Sequence, residues 1–184
     1  MNGAITPIPD AQAIIGKASH AAFDSPLINN VHRALLAEAM ISEVLPQEWR
    51  WCSADWNMCD FIHADSTRLE VKQSAARQSW HKPDSPPYRG VFDIAARKMA
   101  WFDGKFRPST GRNADIYVFA HHPVHDASAD HREPSQWQFY VVAARRLPCT
   151  KQLSLSGVQR LALPVGLAGL TYTVEMLRLE VKLA

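Results

Sequence analysis

The run NADIYVFAHH, residues 113 to 122, constrains the fold more than any other stretch of this chain. From Ile116 to Ala120 it is apolar without alternation. A strand with one wet face alternates polar and apolar side chains, so an unbroken apolar run predicts an interior strand covered on both faces. We therefore expect it near the centre of a sheet, with further layers packed above and below.

The other elements follow from period and punctuation. NNVHRALLAEAMISEVL predicts a helix capped by Asn29 or Asn30 and ended by Pro46, with Val31, Leu35, Leu36, Ala39, Met40 and Val44 at helical spacing. WRWCSADWNMCDFIHADSTRLEVKQ predicts two or three strands, with a hairpin turn at HADST. SAARQSW predicts a turn or two of helix, and the prolines of HKPDSPPYRG forbid regular structure. GVFDIAA and KMAWFDGKF read as short strands around a turn, and WQFYVVAARRL as a strand after the polar loop HPVHDASADHREPSQ. SLSGVQRLA predicts a short helix started by Ser154 or Ser156, and TVEMLRLEV fits helix or strand. The sum is a mixed α/β domain built on one sheet. At 184 residues the chain is too short for two ordinary domains. We read 1–28 as an N-terminal arm with a short helix around Ala11 to Ala18, and 29–184 as one domain.

Composition narrows the function classes. Twenty basic against 18 acidic residues leave a net charge of +2, so no global polycation advertises nucleic-acid binding and any such face must be local. Three cysteines without a CxxC pair fit neither a disulfide framework nor a structural zinc site, which favours a reducing cytoplasm. No segment reaches the roughly 18 uninterrupted apolar residues of a membrane span, so a membrane partner is not expected.

The strand RLEVKQ carries the chemistry. Side chains alternate along a strand, so Leu69 and Val71 share one face while Arg68, Glu70 and Lys72 share the other. If the hairpin brings Asp60 alongside, two carboxylates meet beside an ammonium, and carboxylates that close repel unless a cation lies between them. A hard cation such as Mg²⁺ suits that place, because it takes oxygen ligands and usually keeps water and a substrate phosphate. Lysine beside it can orient or deprotonate an attacking water.

Asp60, nine intervening residues, then Glu70-Val71-Lys72 resembles the PD-(D/E)xK motif of the restriction-endonuclease-like nuclease superfamily, with Cys59 in the place of the motif's proline. The run EVKQSAARQSW, with WNMCDF before it and NADIYVFAHHP after it, is similar to a group of small uncharacterised bacterial proteins. The resemblance covers roughly residues 30 to 80. It implies an α/β restriction-endonuclease-like core, a central mixed β-sheet flanked by helices, and hydrolysis of DNA phosphodiesters with Mg²⁺ or Mn²⁺. Asp60 and Glu70 would hold the metal, Lys72 would position or activate water, and a glutamate of the preceding helix would complete the acidic cluster. That glutamate is Glu38 by resemblance, with Glu43, nearer the centre of the apolar stripe, in reserve. Gln78 is a further candidate and Gln73 a neighbour, since a glutamine soon after the lysine binds phosphate or water in several such families. DNA is the expected partner, with RNA left open, and nucleases of this type often dimerise to cut two strands. Many members follow the lysine strand with a long helix; the short SAARQSW means that the helix is abbreviated or that strands are inserted.

Two other classes compete: a binding module that keeps the fold without turnover, and a structural or assembly protein whose Glu-Lys face is merely solvated. The cluster His121, His122, His125, Asp126, Asp130 and His131 matches no zinc spacing and is broken by Pro123, so it reads as a polar loop. Asp55, Asp65, Asp93 and Asp115 are other available carboxylates, Asp115 with Arg112 as a prospective partner. No nucleophile elbow surrounds Ser154 or Ser156, and no glycine-rich phosphate loop occurs. Basic residues interleave with aromatics at 77–82, 88–89 and 97–112, where Trp80 or Trp101 could stack on a splayed base or simply fill core.

Overall fold

The structure is a computed structural model that describes residues 8–52, 57–82, 84–102 and 105–183. Its centre is a five-stranded mixed sheet. The strands are β1 (Trp49–Trp51), β2 (Phe61–His63), β3 (Arg68–Ala75), β7 (Ile116–His122) and β8 (Gln138–Ala143), adjacent in that order. The β3–β7 pair is parallel and the other three pairs are antiparallel. β7 is the apolar run, buried at all seven positions between β3 and β8. Its two faces feed two cores, as its lack of alternation demands. Ile116, Val118 and Ala120 join Leu69 and Val71 beneath the helices α2 (Asn30–Ser42) and α4 (Leu167–Lys182). Tyr117 and Phe119 face the opposite way, toward Phe92, Ile94, Leu153 and Val158. That second layer contains the pair β4 (Val91–Asp93) and β9 (Gln152–Ser154), followed by α3 (Leu155–Gln159).

Local chemistry explains the element ends. Asn29 caps α2 by accepting from the N–H groups of Val31 and His32, and Ser154 caps α3 through the N–H of Gly157. The β2–β3 hairpin forms at HADST, with Phe61 opposite Leu69 and Ser66 at a positive φ of 72°. Asp65 braces that turn from inside by accepting from Thr67 N–H and Oγ1. The ambiguous TVEMLRLEV lies within α4, whose Leu170 and Val174 are fully buried with Leu177 and Val181 packed on the same core. Arg178 ties α4 to the hairpin turn through Asp65 Oδ2 at 2.7 Å.

Several expectations need correction. α2 buries Arg33, Ala37, Met40 and Ile41, while Val31 and Leu35 point outward at 75% and 44% exposure. The true stripe starts on a charged residue, which hides it from an apolar count. Among the described residues no helix lies between β3 and β7: Ser74 and Ala75 continue β3, and strands occupy the crossover. β4 pairs with β9, and β5 (Met99–Phe102) makes its own hairpin with β6 (Lys105–Pro108). In the N-terminal stretch α1 runs from Ala11 to Phe23, longer than expected and without a buried residue; the arm's first seven residues lie outside the described residues. Nor is the histidine loop wholly polar, since His122 and His131 are fully buried against Trp137. Among the described residues no helix is long and apolar enough to cross a membrane.

Candidate active site

β2 is short, and its end creates the site. From Val71 onward β3 has β7 on one side only, so its other edge opens between α2 on one face and β4 on the other. A cavity of about 560 Å³ lies along this bared edge. Asp60, immediately before β2, caps it. Its N–H donates to Leu69 O at 3.0 Å, and its Oδ2 accepts from Val71 N–H at 2.6 Å. The carboxylate is thereby fixed beside the backbone between Glu70 and Lys72. Those two side chains lie on the face of β3 registered with Tyr117 and Phe119, and Lys72 Nζ approaches Glu70 Oε1 at 2.5 Å.

Glu38 reaches the same cavity from the half-buried edge of α2, where its Oε2 accepts from Trp51 Nε1 at 2.9 Å. Glu43 caps the C-terminus of α2, is exposed and does not line the cavity. The reserve candidate is thus placed away from the other carboxylates: the apolar stripe that put it near the core is not the one the helix buries. Crowding shows in Asp60, whose carboxyl is pushed up to about 8 by burial first and then by the charges of Glu70 and Glu38; Val71 N–H and Lys72 oppose the rise.

Gln78 is present at the cavity but in an unexpected role. It is 2% exposed, and its Oε1 accepts from Arg33 Nη2 at 2.9 Å while its Nε2 donates to Ala75 O. Arg33, which no sequence motif marks, is the hub of this wall. Its Nε donates to Gln73 Oε1 at 2.6 Å, its Nη1 to Ile28 O, and its Nη2 also to Asn30 Oδ1. A guanidinium at 1% exposure held by neutral acceptors is uncommon, and burial lowers its pKa to about 10. The available signal was spacing: 33, 37, 40 and 41 form a helical stripe. His131 supports the same wall. Its Nδ1 accepts from Ile28 N–H at 3.0 Å, so Nε2 carries the proton and donates to Arg77 O at 3.0 Å.

The remaining candidates sort by position. Asp93 lines the cavity and pairs with Arg97 at 2.7 Å. Asp65 serves α4 and the hairpin turn. Asp115 accepts from Arg68 N–H at 2.9 Å, with Arg68 Nε at 3.7 Å, while Arg112 donates to the carbonyls of Ile94, Leu147 and Pro148. The expected Asp115–Arg112 pair is replaced because Asp115 precedes β7 directly beside the start of β3. Asp55 lies outside the described residues. Trp80 lines the cavity, and Trp101 packs on Phe106 in the β5–β6 hairpin.

Chemically, the donors suit a hard cation. Among the described residues, Asp60 Oδ1 and Glu70 Oε2 accept no hydrogen bond, and the Asp60 anion is disfavoured by burial and by the charges of Glu70 and Glu38, only partly offset by Val71 N–H and Lys72, a penalty that a divalent ion would relieve. Among the described residues no group of three or more His, Cys, Asp or Glu side chains forms a ready cage. A cation at Asp60 and Glu70 would therefore complete its shell with water, the usual situation of Mg²⁺.

No protein-family model, curated protein or solved structure matches this chain.

Proposed function

We propose that this chain has a restriction-endonuclease-like core and hydrolyses DNA phosphodiester bonds in the cavity along β3. The observation that carries this reading is the Asp60 Oδ2 to Val71 N–H bond of 2.6 Å, which brings a distant carboxylate onto the Glu70-Val71-Lys72 tripeptide. A solvated strand face needs no such clasp. Asp60 and Glu70 are the residues that would hold Mg²⁺ or Mn²⁺; when bound, the ion supplies Lewis-acid stabilisation of charge on a phosphate oxygen.

The chain's own groups do the rest. Lys72 directs one of its three N–H donors at Glu70 and has two left for an attacking water and a phosphate oxygen. Its charge also offsets negative charge developing at phosphorus. Glu38 lines the same cavity as a third carboxylate and would accept hydrogen bonds from water or other donors brought there. Arg33, buried in the cavity wall and held by Gln73 and Gln78, places one positive charge behind the acidic floor, where it offsets part of the negative charge of a bound phosphate. Cleavage of single-stranded, duplex and branched DNA with Mg²⁺ or Mn²⁺ tests the proposal. We expect metal-dependent cleavage by wild type and loss of at least ~100-fold in Lys72→Ala and Glu70→Gln, on the scale of removing one transition-state group. Cleavage that survives in both variants, or none on any substrate, would overturn it.

A further inference from the structure

Part of this cavity is not needed for phosphodiester chemistry. Trp80 and Tyr88 line it together with Asp60, Glu70 and Lys72, yet their side chains are 65% and 44% exposed. Trp49 and Trp137 fill core at 6% and 2%, and Trp51 and Trp101, at 37% and 39%, lie outside this cavity, so among the described residues Trp80 is the most exposed tryptophan and the one that lines it.

The rings are not held there by burial of their own surface. The segment from Ala76 to Val91 is tied through its backbone and through Gln78. Tyr88 N–H donates to Ala76 O at 2.7 Å, His81 N–H donates to Gln78 O at 3.0 Å, and Arg77 O accepts from His131. Gln78 is clamped by buried Arg33. These ties place Trp80 and Tyr88 along the cavity and leave the two aromatic side chains presented to solvent. Lys82 and Arg89, both exposed, lie on the same segment.

Aromatic faces beside a phosphodiester site have a specific use. In a duplex each base is covered above and below by its neighbours and offers the protein only its edges, whereas an unpaired base offers a ring face on which tryptophan or tyrosine stacks. Lysine and arginine alongside can follow the phosphates. A phosphate at the carboxylates leaves an adjacent nucleotide within the same 560 Å³ cavity as the two rings.

We propose that the substrate is single-stranded or locally unpaired DNA, with a nucleobase next to the scissile phosphate stacked on Trp80 and Tyr88. This rests on the phosphodiester reading of the site. The test measures binding without turnover: a Lys72→Ala chain in chelator is titrated into an end-labelled oligonucleotide of mixed sequence, alone or annealed to its complement, and anisotropy is read. We expect the single strand to bind at least ~10-fold tighter than the duplex. Adding Trp80→Ala should weaken single-strand binding by about 10- to 100-fold, the cost of losing one stacked base, while Trp80→Phe stays within a few-fold. Tyr88→Ala should act in the same direction. Duplex bound as tightly as single strand, or single-strand binding indifferent to Trp80→Ala, would overturn the inference. The two proposals fail separately. Duplex cleavage unaffected by Trp80→Ala would keep the nuclease and remove the stacking site, whereas Trp80-dependent binding without wild-type cleavage would keep the stacking site and remove the enzyme.

Discussion

Replacing Asp60 by Asn should stabilise the metal-free protein at alkaline pH while removing its function. Asp60 shares a partly buried cavity with Glu70 and Glu38, and its carboxyl is raised from 3.8 to about 8. The sign follows from proton counting. Between these values the native state holds a proton that the unfolded state has lost, so stability falls as pH rises. At ~1.4 kcal/mol per pH unit, the interval from about pH 5 to about pH 8 sets a ceiling of about 4 kcal/mol. Asp60 keeps some contact with water, so screening reduces this to ~2 kcal/mol. Asparagine keeps an oxygen for Val71 N–H and has no charge to lose. Urea unfolding of both proteins with chelator, at each pH, gives the difference, in which titrating groups remote from Asp60 cancel. Wild type should lose ~2 kcal/mol relative to Asp60→Asn over the interval, and Mn²⁺ should stabilise wild type alone. Parallel pH dependences, or a variant less stable than wild type at about pH 8, would refute the idea of carboxylates crowded for a cation.

Three further outcomes follow from the supporting structure. Arg33→Met strands the buried acceptors Gln78 Oε1 and Ile28 O, at ~1–3 kcal/mol each, so urea unfolding should show a loss of ~2–4 kcal/mol; a change below ~0.5 kcal/mol would contradict the hub role. His121 and His131 are lowered to about 4, burial being the main cause, so unfolded chains take up protons first as pH falls from ~6.5 to ~4 and stability drops, by up to ~3 kcal/mol per histidine. NMR titration should find both rings neutral at about pH 5, and ordinary midpoints near 6.5 would contradict their burial. Asp65→Ala frees Arg178 and the hairpin turn and should cost ~1–2 kcal/mol with cleavage retained; lost cleavage in a folded variant would mean that Asp65 serves the site.

What was legible in the sequence was whatever depends on local period. The unalternating run at β7, the hairpin around HADST and the Glu70–Lys72 face follow from one strand's geometry, and the structure has all three. Asp60 was also legible as a candidate, because a hairpin returns the chain at a calculable register. Arg33 was not: its burial needs acceptors from Gln73, Gln78 and Ile28, which only tertiary structure brings together, and a charge at the head of a stripe reads as its solvent edge. The same error shifted the α2 stripe and gave Glu43 more weight than its exposed position supports. The strand partner of β4 was out of reach for a related reason, since its pairing with β9 spans about sixty residues and leaves no periodic trace in three-residue strands.

The most direct test of the central claim is calorimetric titration of Mn²⁺ into wild type, Asp60→Asn and Glu70→Gln. A saturable heat on wild type that disappears in both variants, while each unfolds as cooperatively as wild type, is the predicted result. No heat on wild type, or the same heat in all three proteins, would mean that these carboxylates do not hold a metal and that the cavity along β3 is not a metal-dependent active site.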